Sequence, residues 1–96
     1  MPKSEPIRIL YMEDDVGLAR LLQRRLERAG YIVDLAPDGM TGLDMYEQGS
    51  YDVIAVDQKM PGCDGIEVIR ILAKRGPLPP TIMLSPLIAP SPLSST

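Results

Sequence analysis

The sequence predicts an α/β domain, a parallel sheet wound on both sides by helices, and three observations carry that expectation. Short runs of strand formers alternate with longer segments of helical period. The third run holds four adjacent apolar residues, Val53-Ile54-Ala55-Val56, as a strand buried on both faces would. Three of the four runs end on polar groups, and doubly wound sheets place their working site outside the carboxyl ends of the strands.

Taken in order, residues 7–12 (Ile-Arg-Ile-Leu-Tyr-Met) are rich in strand formers and bounded by Pro6 and the acids Glu13-Asp14-Asp15. From Val16 the period changes. Leu18, Leu21, Leu22, Leu26 and Ala29 fall on one helical face, with Arg20, Arg24, Arg25 and Arg28 on others as a solvated face. Asp15 serves as N-cap or first-turn acid, and Gly30 is the usual residue just past a helix end. Residues 31–36 form a second strand. Residues 37–49 open with turn residues and continue as a short helix, with Leu43 and Tyr46 packing inward and Gly49 stopping it. Residues 51–57 make the third strand, 65–76 an amphipathic helix ending at Gly76, and 81–84 a fourth strand. Beyond Ser85 the pattern fails: residues 86–96 hold three prolines and neither period, which reads as an irregular Pro/Ser-rich tail. The expected organisation is one domain over residues 1–85, followed by that tail.

Composition narrows the function. A chain of 96 residues has room for one core, and no apolar run approaches the roughly 18–20 residues of a membrane helix. The N-terminal residues lack an apolar signal core, so the expected address is cytoplasmic, with no membrane contact. Cys63 is the one cysteine, which excludes an intrachain disulfide. A net charge of −3 argues against nucleic acid as a direct ligand. There is no histidine, so Ser-His-Asp and Cys-His catalysis and histidine metal sites are excluded together.

The chemistry then rests on strand-end groups. The first strand ends at Glu13-Asp14-Asp15, the third at Asp57 and the fourth at Ser85. An acid cluster can simply cap a helix, a favourable arrangement by about 0.3–1 kcal/mol, and Asp15 is assigned mainly to that role. Glu13, Asp14 and Asp57 converging on one point repel one another unless a cation neutralises them. Oxygen donors suit a hard cation, and Mg²⁺ is the natural candidate. An aspartate beside such an ion can attack a phosphoryl group. Ser85 could then hydrogen-bond a phosphoryl oxygen, and a lysine is the expected second cation.

The stretches "ILYMEDD", "VIAVDQKMPGCDG" and "TIMLS", in this order and spacing, resemble the receiver domain of two-component response regulators from about Ile7 to Ser85. The resemblance implies a flavodoxin-like sheet of strand order 2-1-3-4. It implies Asp57 as phospho-acceptor, Asp14 as direct Mg²⁺ ligand, Glu13 as an acid acting through water, and Lys59 as the donor of a backbone carbonyl to the metal. Ser85 matches the hydroxyl residue that reorients on phosphorylation, while Met60, Pro61 and Gly65 match the loop that shapes the site. The implied partner is a sensor histidine kinase or phosphotransfer protein, and the implied role is a signalling switch rather than a metabolic enzyme.

The chain departs from that family after its fourth strand. Receivers continue with a helix, a fifth strand opening on Lys-Pro, and a last helix; here the lysines are Lys3, Lys59 and Lys74. The expectation is a receiver that is truncated or atypical at its C-terminal side, with the fifth strand and last helices missing. Its fourth strand would form an open edge prone to self-association. The alternative is a receiver-like interaction module that is not phosphorylated. A haloacid-dehalogenase-type phosphotransferase also uses a strand-end aspartate, but it needs a second aspartate where this chain has Lys59.

Overall fold

Leu10, Met12, Ile54 and Val56 are fully buried, and the architecture follows from covering them. The computed structural model describes residues 5–57 and 65–84. Seven elements alternate along the chain: β1 (Arg8–Met12), α1 (Val16–Arg28), β2 (Ile32–Ala36), α2 (Gly39–Gln48), β3 (Val53–Asp57), α3 (Gly65–Arg75) and β4 (Thr81–Leu84). The strands form one sheet in the order β2-β1-β3-β4, and every neighbouring pair is parallel. The flavodoxin-like order expected from the sequence is the order observed.

Successive strand residues point to opposite faces, which divides the core in two. Leu10, Met12, Ile54 and Val56 pack against Leu43 of α2 and against Val68 and Leu72 of α3. Gly42 lets α2 approach this face, since a Cβ there would lie 2.5 Å from the Met12 sulfur. On the other face Ile9, Tyr11 and Val33 pack under Ala19 of α1, flanked by the partly buried Leu22 and Leu26. Asp15 caps α1 by accepting from the Leu18 N–H at 3.1 Å, and Asp38 caps α2 by accepting from the Thr41 N–H at 2.8 Å. Gly30 follows α1 with a φ of 101°, a backbone conformation that favours glycine. An Arg75–Glu47 ion pair joins the ends of α3 and α2.

Two burial expectations are corrected. The face of α1 that meets the sheet runs through Ala19, Leu22 and Leu26, whereas Leu18 and Leu21 stand 41% and 45% exposed and Ala29 is exposed as well. The apolar stripe is wider than the contact, because among the described residues no second helix lies beside α1 on this face. For the same reason β3 is closed on one face only: Ile54 and Val56 are fully buried, but Val53 and Ala55, on the α1 side, are half-buried.

At the amino ends of the strands, Arg8 gathers its neighbours. Its N–H donates to the Asp52 carboxylate at 2.9 Å and its guanidinium lies 3.3 Å from Asp34, which also accepts from the Tyr51 hydroxyl at 2.8 Å. Burial first, then the bond to Asp34, push the Tyr51 phenol up to about 12. This cluster fixes the sheet at the end opposite the acids. Among the described residues β4 pairs with β3 alone. No described helix is long and apolar enough to cross a membrane. Lys59, Met60, Pro61, Cys63, Ser85 and the segment 86–96 lie outside the described residues.

Candidate metal and phosphoryl-acceptor site

Sheet register brings the acids together. Met12 pairs with Val56 across β1 and β3, so the next residue on each strand, Glu13 and Asp57, emerges at the same carboxyl edge. Both are 6% exposed, and Asp14, one residue on, is open to solvent. One carboxylate oxygen from each of Glu13, Asp14 and Asp57 can lie within 4.8 Å of the others. The N–H of Glu13 donates to the Ala36 carbonyl at 2.9 Å, which continues the β1–β2 ladder and holds the backbone while the side chain turns inward.

Glu13 is the most constrained of the three. Its Oε2 accepts from the Asp15 N–H at 3.1 Å and its Oε1 from the Tyr11 hydroxyl at 3.2 Å. Burial holds its carboxyl above the usual carboxylate range, and the charge of Asp57 and a shared hydrogen bond push the same way; the Asp15 and Tyr11 hydrogen bonds oppose the shift. Tyr11 responds to the same cluster: burial, then the charge of Glu13, raise its phenol well above the ordinary value. It therefore stays a hydrogen-bond donor across the physiological range.

The donor chemistry fits a divalent hard cation. All three groups offer oxygen, two are nearly removed from water, and burial, with the charge of Asp57 added, disfavours the ionised Glu13 that a cation would stabilise. Oxygens bound to one Mg²⁺ at about 2.1 Å lie at most about 4.2 Å apart. With one oxygen from each within 4.8 Å of the others, the three carboxylates are close enough to hold one small divalent ion directly or through water.

Glu13, Asp14 and Asp57 are united as the sequence predicts, and Asp15 stands apart as the cap of α1. Gly65, which the resemblance assigns to the loop that shapes the site and the periodicity to the start of the helix, is the buried first residue of α3. Lys59 and Ser85, the other two expected site residues, lie outside the described residues. Tyr11 was not legible as a site residue, since its place in a buried strand reads as core. The available signal was its spacing two residues before Glu13, which puts both side chains on one face of the strand.

The fold and the acid cluster agree with what the chain resembles. The profile of the response regulator receiver domain matches residues 9–90. The chain is 40% identical over 77 residues to the uncharacterised transcriptional regulatory protein YkoG of Bacillus subtilis, covering 80% of this chain and 34% of that protein. It is 39% identical over 80 residues to the response regulator MprA of Mycobacterium sp., covering 83% and 35% respectively. It thus spans about a third of the length of the curated relatives it matches. Among solved structures, the receiver domain of Francisella response regulator 1452 aligns with a TM-score of 0.81 at 34% identity, covering 86% of this chain and 69% of that one. The response regulator TrrA of Thermotoga maritima, solved in complex with Mg²⁺ and BeF, aligns with a TM-score of 0.80 at 32% identity, covering 84% and 70%. The chain belongs to the response regulator receiver domain family of two-component systems.

Proposed function

We propose that this chain is the phospho-accepting module of a two-component phosphorelay, taking a phosphoryl group on Asp57 from a sensor histidine kinase or phosphotransfer protein and passing a conformational signal to a downstream output. The observation that carries the reading is the buried Asp57 at the end of β3 with oxygens of Glu13 and Asp14 within 4.8 Å. Mg²⁺ would be held by Asp14, Asp57 and the Lys59 carbonyl, with Glu13 acting through a water. When bound it neutralises the acids and the charge of the incoming phosphoryl oxygens.

The remaining chemistry belongs to the chain. A carboxylate oxygen of Asp57 forms a bond to phosphorus while the bond from phosphorus to the donor's leaving group breaks, and the electron pair departs with that group. Tyr11 and the Asp15 N–H hold Glu13 in place as the charge at Asp57 changes. Ser85 supplies a hydroxyl to a phosphoryl oxygen. The sequence holds no histidine, so the chain receives rather than donates by the phosphohistidine route. It acts chemically only in its own phosphorylation, as a signalling protein of the cytoplasm and not a metabolic enzyme. The second reading is a receiver-like interaction module that is not phosphorylated.

Beryllium fluoride, an analogue of a transferred phosphoryl group, separates the two. With Mg²⁺ present it is expected to shift the amide resonances of Glu13, Asp14 and Asp57, and to leave them unmoved in Asp57→Asn. Resonances unmoved in the parent chain would favour the interaction module. A second expectation concerns Tyr11→Phe, which removes a hydrogen bond that favours the Glu13 carboxylate. Mg²⁺ affinity at pH 7 should fall about two- to tenfold, the value of one such bond. A Mg²⁺ titration giving equal affinities at pH 7 would remove Tyr11 from the site.

A further inference from the structure

Both oxygens of the Glu13 carboxylate already hold a donor. Oε1 accepts from the Tyr11 hydroxyl at 3.2 Å and Oε2 from the Asp15 N–H at 3.1 Å. Neither donor can follow a moving carboxylate. The Tyr11 ring is buried among Ile9, Ala19 and Val33, and Asp15 is fixed as the N-cap of α1, its side chain on the Leu18 N–H. We propose that Tyr11 sets the metal selectivity of the acid site. By holding one oxygen of Glu13, it keeps this carboxylate from offering both oxygens to a single ion, and so favours Mg²⁺ over Ca²⁺. The inference rests on the reading of Glu13, Asp14 and Asp57 as a metal site, and it assigns the choice of ion to a side chain that gives that ion no oxygen.

The two ions ask different things of a carboxylate. Mg²⁺ demands a near-ideal octahedron and keeps several waters, so one oxygen of a carboxylate, or a bridging water, is enough. Ca²⁺ takes about six to eight oxygens and accepts a carboxylate through both of its own. Among the described residues three carboxylates meet at this site, so a calcium shell filled from these groups draws on second oxygens. At Glu13 the second oxygen is the costly one. Turning the carboxylate to present both would stretch the bond from Tyr11 or the bond from Asp15. Glu13 is 6% exposed and Tyr11 1%, so water does not readily replace what is lost, and a buried hydroxyl left without its acceptor adds a penalty of its own. Binding through one oxygen or a water requires no such turn.

The test compares Mg²⁺ and Ca²⁺ titrations of the full chain and of Tyr11→Phe, followed by the amide resonances of Asp14 and Asp57. Phenylalanine keeps the packed ring, so the far-UV signal should be retained. The ratio of Mg²⁺ to Ca²⁺ affinity is expected to fall about two- to tenfold in Tyr11→Phe. Ca²⁺ recovers through the freed oxygen what both ions lose with the hydrogen bond. Adding Glu13→Gln, whose amide has a single oxygen to give, should restore the ratio. An equal fall for both ions would overturn the proposal, leaving Tyr11 only the task of holding the Glu13 charge, and so would a ratio that Glu13→Gln does not restore. If neither ion moves a resonance of the parent chain, the metal reading falls and this inference with it. The parent chain also gives an answer that needs no variant. Its Tyr11 ζ-carbon resonance should move further on saturation with Ca²⁺ than with Mg²⁺, and a matched response to the two ions would overturn the proposal.

Discussion

Ile54→Ala is expected to destabilise the chain by about 2–5 kcal/mol, the cost of removing a large aliphatic side chain from a site that collapses poorly. Ile54 is fully buried at the middle of the sheet, where β3 is hydrogen-bonded to β1 on one side and β4 on the other. It shares its cluster with Leu10, Val68 and Leu72, which lose almost no area to solvent. Backbone ladders hold both neighbouring strands in place, so little can move into the space the alanine leaves. Against a total stability of about 5–15 kcal/mol for a domain, that loss is enough to unfold much of the population. Urea unfolding followed by far-UV circular dichroism should show a lowered midpoint with the slope unchanged. Val53→Ala, on the half-covered face of the same strand, should cost clearly less. Equal costs for the two would show that β3 is not buried asymmetrically.

Mg²⁺ is expected to stabilise the folded chain by about 2.7 kcal/mol at a hundredfold excess over its dissociation constant. For a domain of this size each kcal/mol moves the melting temperature by roughly 4–8 °C, so the shift should be about 10–20 °C. The reason is the strain already present at the carboxyl edge, where burial and Asp57 raise the Glu13 carboxyl above its ordinary range. The sign of the pH dependence follows. A raised folded-state value means that the folded protein binds the Glu13 proton more tightly than the unfolded chain does. In the metal-free protein that contribution is fully present below the unfolded carboxyl's range and is lost as pH rises through the folded one. The gap between melting temperatures with Mg²⁺ and with chelator should therefore widen as pH rises from the ordinary carboxylate range through the raised range of Glu13. Asp14→Asn, which removes an exposed carboxylate of the proposed metal site and leaves the core untouched, should close most of it. A gap that is constant with pH, or widest in acid, would contradict the placement of Glu13.

Much of this was legible in the sequence because strand and helix periods are local signals. The four runs 7–12, 31–36, 51–57 and 81–84 become strands with ends moved by two residues at most, and Asp15 caps α1 as its position indicates. The acids were legible because strand-end residues of a parallel sheet meet at one edge, here fixed by the Met12–Val56 register. What periodicity could not reveal is how much of a face finds a partner. Leu18 and Leu21 lie on the stripe of α1, yet only the line through Ala19, Leu22 and Leu26 reaches the sheet. Val53 and Ala55 look like core and stand half-open for the same reason, since burial on that face depends on elements far along the chain. Tyr11 escaped because one side chain serves the core with its ring and the site with its hydroxyl.

The central claim, that Asp57 accepts a phosphoryl group, is tested most directly by intact-mass spectrometry after incubation with acetyl phosphate and Mg²⁺. The expected result is a gain of one phosphoryl group, dependent on Mg²⁺, located to Asp57 by peptide mapping and absent from Asp57→Asn. No gain in the parent chain, or a gain that persists in Asp57→Asn, would contradict it.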